Sequence, residues 1–337
     1  MLQFGQFVLT RAFLAIVTLL TVSFIVFTLM EMVPANCAER YLSYKSFQGG
    51  QISQEDIAAE ERRLGLDKPY VIRWAGWVGN VFFKGDFGDS CILRVSINQL
   101  LGHKFWISLG ICLASLMLAY IIAIPLGIYS ATANKPGLNS TLRFVSYLGL
   151  AMPNFLLALM IMLASTVFFG DSLTGLFSKE FRDAAWSWAR VGDFLSRAWL
   201  PVFILGWSAT AFALQTVRAL MLDEYGKLYV TAARARGLAG RQLLLRYPAR
   251  HALGPIINSL GFDLNRVFNE LPIIALILTL TEAGALLLEA LARSNDQQLA
   301  GAIIFMLTAS IISLNFLTDI LLALFDPRVR RSVMGKA

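Results

Sequence analysis

LDEYGKLYVTAARARGLAGRQLLLRYPARHALGP, residues 222–255, is the longest polar interruption in the apolar second half of the chain. With the flanking Arg218 it holds seven positive charges, at Arg218, Lys227, Arg234, Arg236, Arg241, Arg246 and Arg250, against Asp223 and Glu224. A short basic segment between two apolar spans is held on the cytoplasmic side of a membrane by the positive-inside bias. Within it, Thr231 to Arg236 reads as a short helix of good helix formers, stopped by Gly237 as the expected C′ residue. A second helical run, Arg241 to Leu253, leads back into the membrane. On its residues alone, such a loop is a basic turn that sets topology and meets lipid phosphates.

Composition places the chain in a membrane. With 57% hydrophobic and 15% charged residues and a mean hydropathy of +0.62, its 337 residues are too apolar for a soluble domain of this size. The net charge of +7 does not point to nucleic acid once the charges are sorted by side. The segments expected inside carry 14 Lys/Arg against three acids, whereas segments 31–104 and 170–198 balance 13 against 13. Insertion alone requires that asymmetry, and no surplus is left for DNA or RNA.

The spans then follow in order. Residues 1–30 hold a first transmembrane helix, its apolar run from Ala12 to Met30 long enough to cross about 30 Å of hydrocarbon. Pro34-Ala35-Asn36-Cys37 lacks the small residue that a lipoprotein cleavage site needs before the cysteine. Residues 31–104 form an external segment. There Ser53 and Asp56 predict a capping box opening a helix that runs to Leu64. Pro69 opens another, with Tyr70, Trp74, Trp77, Val78 and Val81 on one face, a stripe that suits the membrane–water interface. Residues 105–337 form the core, with spans at Phe105–Ser130, Arg143–Phe169 (containing Pro153), Trp199–Leu220, about Pro255–Leu280 and about Leu299–Phe325. The basic loop, 222–254, lies between the fourth and fifth. Segment 170–198, with Trp186 and Trp188, reads as external with a short interfacial helix. The expected fold is all-α, with six transmembrane helices and both termini cytoplasmic.

Three sets of residues resemble one family. The spacing from Ala232-Ala233 to Gly237 is similar to the "EAA loop" of binding-protein-dependent ABC importer permeases. Leu64-Gly65-Leu66-Asp67-Lys68-Pro69, Trp74 and Gly85-Asp86-Phe87-Gly88-Asp89-Ser90 resemble the signature of the peptide branch of that family, and Asp326-Pro327-Arg328-Val329-Arg330 resembles its ending. The match runs nearly from end to end. It implies a type I permease of the bacterial inner membrane that takes part in the import of peptides or peptide-like solutes, nickel or an oligosaccharide being the alternative cargo. The implied partners are a second permease subunit, two ATP-binding subunits docked at Thr231, Ala232, Ala233, Arg234, Arg236 and Gly237, and a periplasmic substrate-binding protein. Three departures stand out: Thr231 replaces the usual Glu, Tyr247 to Arg250 lack Ile-x-Leu-Pro, and Thr281 to Leu286 replace a Trp-Pro-Gly turn before the last span.

No chemistry-bearing motif accompanies this resemblance. A phosphate-binding Gly-x4-Gly-Lys-[Ser/Thr] loop does not occur, so ATP and Mg belong to the partner subunits and no cofactor is expected in this chain. His103 and His251 fall on opposite sides of the membrane and make no metal site. Cys112 lies in the second span, while Cys37 and Cys91 share the external segment, where they are either bridged or free. A competing class, a stand-alone secondary transporter or channel, would favour inverted repeats, and none is visible.

Asp263, Arg266 and Glu270 belong to no motif. Steps of three and four residues put them on one face of the fifth helix, with Asn265 and Asn269 broadening the polar stripe. They lie roughly 12 to 23 Å along the helix from Pro255, inside the hydrocarbon, where each ionised group costs about 2.5–3.5 kcal/mol. Either they neutralise one another and pin the helix to a neighbour, or Asp263, Arg266, Asn269 and Glu270 line a substrate path.

Overall fold

The computed structural model describes residues 2–32, 36–47, 53–133, 135–170, 174–182, 184–280, 283–294 and 296–325. The Asp326–Arg330 ending and Thr281-Glu282 lie outside them. The described residues are helical, with no strand beyond an isolated antiparallel bridge between Asp89 and Ser96. The helices are α1 (Leu2–Met32), α2 (Cys37–Phe47), α3 (Gln54–Leu64), α4 (Tyr70–Lys84), α5 (Ile97–Leu101), α6 (Lys104–Thr132), α7 (Pro136–Ala151), α8 (Asn154–Phe169), α9 (Trp188–Tyr225), α10 (Leu228–Ala235), α11 (Gly240–Arg246), α12 (Pro248–Ile277), α13 (Ala283–Leu288, continued by a π turn) and α14 (Gln297–Phe325). Four of these, α1, α6, α9 and α14, are single helices long and apolar enough to cross a membrane, and α7 with α8 makes a fifth crossing if the pair is one span. The remaining expected span is α12, thirty residues long and interrupted by the three charges noted above.

The spatial grouping cuts across chain order. A core unit takes Met1–Arg11, Ser108–Leu280 and Ser313–Ala337, and a satellite unit takes Ala12–Ile107 and Thr281–Ile312.

In the core unit, α9 and α12 pack together with α6 and α7 on α9. Small residues set how closely they approach, as membrane helices require. A Cβ on Gly149 would stand 2.7 Å from the Ala211 Cβ, and one on Gly206 would stand 3.1 Å from the Ser115 carbonyl oxygen. The third span is not straight. Pro153 has no N–H to donate, and Met152 before it adopts an extended backbone (φ −95°, ψ 117°), so the helix stops and α8 leaves at 98° to α7. Segment 170–198 departs from expectation too. Instead of a separate interfacial helix, its end is the first part of α9, which starts at Trp188 because the Ser187 hydroxyl accepts the Arg190 N–H (3.2 Å). The buried Arg190 side chain stacks between Phe177 and Trp186 (4.7 and 4.6 Å) and donates to the carbonyls of Ala184 and Arg182, which folds the preceding loop against α9.

In the satellite unit, the Ser53–Asp56 capping box forms as expected and Gly65 (φ 68°) ends α3. Hydrogen bonds from the Ser53 backbone and hydroxyl hold the Asp56 carboxyl below its ordinary value. The tryptophans of the α4 stripe pack against neighbouring helices. Trp74 meets Phe24 edge-on at 5.3 Å and donates to Ser23, while Trp77 packs on Phe27 and Phe305 and donates to the Phe87 carbonyl. These rings have α1 and α14 beside them, in edge-on and tilted contacts. Cys37 and Cys91 are bridged across 54 residues of sequence. A loop of that length gives about 4 kcal/mol in the chain-entropy account. In membranes treated with a thiol reagent, Cys37 and Cys91 should react only after reduction, and buried Cys112 only after unfolding. Labelling of either external cysteine without reductant would contradict the bridge.

Asp296 is the polar centre of this unit. It is 1% exposed and accepts the Ser90 hydroxyl and the backbone N–H groups of Cys91 (3.2 Å), Ile92 (3.5 Å) and Leu299 (3.0 Å). It thereby caps α14 and holds the Gly85–Ser90 signature to the start of that helix. The chain lacks the Trp-Pro-Gly turn there and has this clamp instead.

Candidate functional site

The loop between α9 and α12 is built around a small core of its own. Val230 and Ala233 of α10 are fully buried against Leu243 of α11, with Tyr225, Tyr229, Leu238 and Tyr247 around them. One turn below, Val217 and Met221 of α9 pack against Ala249, Ala252 and Ile256 of α12. The short helix α10 is therefore keyed to the ends of both long helices. Gly237 (φ 85°) gives α10 its stop: its N–H reaches the Arg234 carbonyl and the Leu238 N–H the Ala233 carbonyl. Glu224 accepts from Lys227 and from the Tyr229 hydroxyl, and Asp223 pairs with Lys227 at 3.1 Å, so the loop's few acids brace its start. Hydrogen bonds to those two carboxylates push the Lys227 ammonium above its ordinary value. The Arg234 guanidinium lies 5.1 Å from the Tyr225 ring.

What α10 leaves outside is a defined face. Leu228, Thr231, Ala232 and Ala235 are exposed at steps of three and four, with Leu228 86% exposed. Arg234, Arg236 and Gly237 flank it, also exposed. Of the residues named from sequence for docking, Ala233 alone points inward. Leu228 was missed, although its spacing from Thr231 and Ala232 puts it on the same face.

The charged residues of α12 are bonded across the bundle. Among the described residues, no ion pair joins Asp263, Arg266 and Glu270 to one another. Each is instead bonded to a different helix of the core unit. Asp263, 6% exposed, accepts the Tyr120 hydroxyl of α6 and the Ser259 hydroxyl (3.0 Å). Glu270 accepts the Asn154 amide at the start of α8, and that amide also lies 3.0 Å from Ser208. Arg266 donates to Ser208 (3.4 Å) and stacks over Phe212 (4.9 Å), both on α9. These groups, three and four residues apart on α12, thus bond across the bundle rather than to one another. The adjoining side of α12 exposes Phe262, Asn265, Asn269, Ile273 and Leu276. The site residues thus divide: the ionisable groups hold the bundle together, and Asn265 and Asn269 stand on its open face. Among the described residues no cluster of potential metal ligands occurs.

Residues 123–331, which include α10 and the whole of α12, match the family model described as "Binding-protein-dependent transport system inner membrane component", and residues 1–98 match the model of that family's N-terminal part. The chain belongs to this family. Members similar to this permease include the "Oligopeptide transport system permease protein AppB" of Bacillus subtilis, 27% identical over 96% of this chain and 99% of that one. The "Peptidoglycan transport system permease protein YejB" of Agrobacterium fabrum is 30% identical over 85% of this chain and 78% of its own. The "Nickel import system permease protein NikB" of Staphylococcus aureus is 26% identical over 96% and 91%. Among solved structures, the inward-facing MetNI methionine ABC transporter matches with a TM-score of 0.50 at 17% identity, over 70% of this chain and 96% of that one. The permease therefore has the ABC importer permease fold and is a multi-pass protein of the bacterial inner membrane.

Proposed function

We propose that the chain is one permease subunit of an ATP-driven importer of peptides or peptide-like solutes, working with a second permease subunit, two ATP-binding subunits and a periplasmic substrate-binding protein. The observation that carries the reading is the α10 face. An exposed row of small and apolar side chains, keyed through buried Val230 and Ala233 to α9 and α12, is what a docking helix needs in order to pass a partner's movement into the membrane. A loop that only set topology would not need a core of its own.

The path reading passes from the bonded charges to the exposed amides. Asn265 and Asn269 stand among Phe262, Ile273 and Leu276 on the exposed face of α12; a second permease subunit covers that face and the two chains share a polar path at the amides. Asp263, Arg266 and Glu270 then fix the bend and angle of α12 behind the path. The relatives named for oligopeptides and peptidoglycan support a peptide cargo, and the nickel relative makes a metal ion the second reading. ATP and Mg sit on the ATP-binding subunits.

Purification from native membranes tests this. The chain should bring with it an ATPase whose hydrolysis rises when the loaded binding protein is added; flux through the isolated chain without ATP would favour the stand-alone transporter instead. Topology follows from the same reading. An impermeant thiol reagent on intact cells should label Ala59→Cys, on the exposed side of α3, and leave Ala239→Cys untouched. The reverse pattern would invert the orientation.

A further inference from the structure

The satellite unit holds a half-open cavity of about 480 Å³ between α1, α3, α4, the 88–94 loop and the start of α14. That volume falls in the range of small-molecule sites. Its polar lining divides into two sets. Arg73 is spent on a two-pronged pair with Glu31, and Arg94 on a pair with Glu60 (2.6 Å) and on the Tyr41 ring (3.4 Å). Arg94 is held at φ 54°, a strained backbone for a residue with a side chain, between the bridged Cys91 and the Asp89–Ser96 pairing. These groups make rigid walls. The second set is Lys68, Asp89, Asn80 and Gln298, which line the same cavity and, among the described residues, bond their side chains to no other residue. They comprise one cation, one anion and two amides, above an apolar floor that includes Phe27 and Trp77.

We propose that this cavity is a binding site for a short zwitterionic peptide, with Lys68 meeting its carboxylate, Asp89 its ammonium, and Asn80 and Gln298 its peptide groups. An amide both donates and accepts, as a peptide group does, and a free carboxylate and ammonium match the two unpaired charges. The site lies in the permease itself, apart from the α12 face, and gives the satellite unit a role in receiving cargo. The proposal rests on the peptide reading of the cargo, yet binding here needs neither ATP nor the ATP-binding subunits. Failure here therefore leaves the permease reading to be judged by ATP hydrolysis alone.

The test is peptide binding to the assembled transporter in lipid nanodiscs, without the binding protein, followed by isothermal titration calorimetry. The probes are trialanine, N-acetyl-trialanine and trialanine amide. Trialanine should bind saturably in the millimolar range or tighter, and each blocked peptide about tenfold or more weakly. Lys68→Gln should abolish discrimination against the amide and keep discrimination against the acetylated peptide, and Asp89→Asn should do the reverse. Both residues are exposed, so neither exchange threatens folding. No saturable binding, equal binding of the blocked peptides, or discrimination unchanged in both variants would overturn the proposal.

Discussion

Ala232→Trp is expected to abolish stimulation of ATP hydrolysis while the chain still inserts and assembles its own helices. Ala232 is exposed on the outer face of α10, one position from buried Ala233. An indole there meets only solvent within the chain but projects into whatever covers the face. Loss of even 1.4 kcal/mol at a docking interface lowers affinity about tenfold, and a steric clash at its centre costs more. Ala233→Trp is the instructive contrast. Its side chain would enter the core formed with Val230 and Leu243, so it should disorder the loop and lower the melting temperature of the free chain. If Ala232→Trp couples like the wild type, α10 does not dock through this face.

The second large effect belongs to Asp296. Asp296→Leu removes the acceptor of one hydroxyl and three backbone N–H groups and leaves those donors buried without partners. Each unmet donor costs about 1–3 kcal/mol, so the summed loss is several kcal/mol. The satellite unit should open. Limited proteolysis from the outer face should cleave the 85–96 region quickly, whereas the core unit keeps its protection. Asp296→Asn retains acceptor capacity through its amide oxygen and should lie between the two. Unchanged protease resistance in Asp296→Leu would show that the disulfide and the aromatic packing alone hold this unit together.

Local structure was legible where a local rule governs it. The Ser53–Asp56 box, the Gly65 and Gly237 stops and the lengths of α1, α6 and α14 all depend on neighbouring residues or on apolar run length, and both are written in the chain. Pro153 signalled a break but not its 98°, because the angle depends on what α7 and α8 pack against. The choice between Ala232 and Ala233 was hidden for a simpler reason. Adjacent alanines on a helix point about 100° apart, and with equal side chains nothing in the composition says which one faces in. The face shared by Asp263, Arg266 and Glu270 followed from their spacing. Their partners, Tyr120, Asn154 and Ser208, lie 143, 116 and 58 residues away along the chain, and no periodicity reaches that far. Asp296 was invisible for the same reason. It stands in no apolar pattern, and its role comes from a loop about two hundred residues earlier.

The central claim is that this chain turns ATP hydrolysis by partner subunits into movement of a peptide-like solute. Proteoliposomes containing the purified complex, with ATP inside, the binding protein outside and a labelled peptide that co-purifies with that binding protein, measure it directly. Uptake should require ATP and the binding protein together, and should vanish when Ala232→Trp replaces the wild-type chain. Accumulation that proceeds equally without ATP, or that survives Ala232→Trp undiminished, would contradict it.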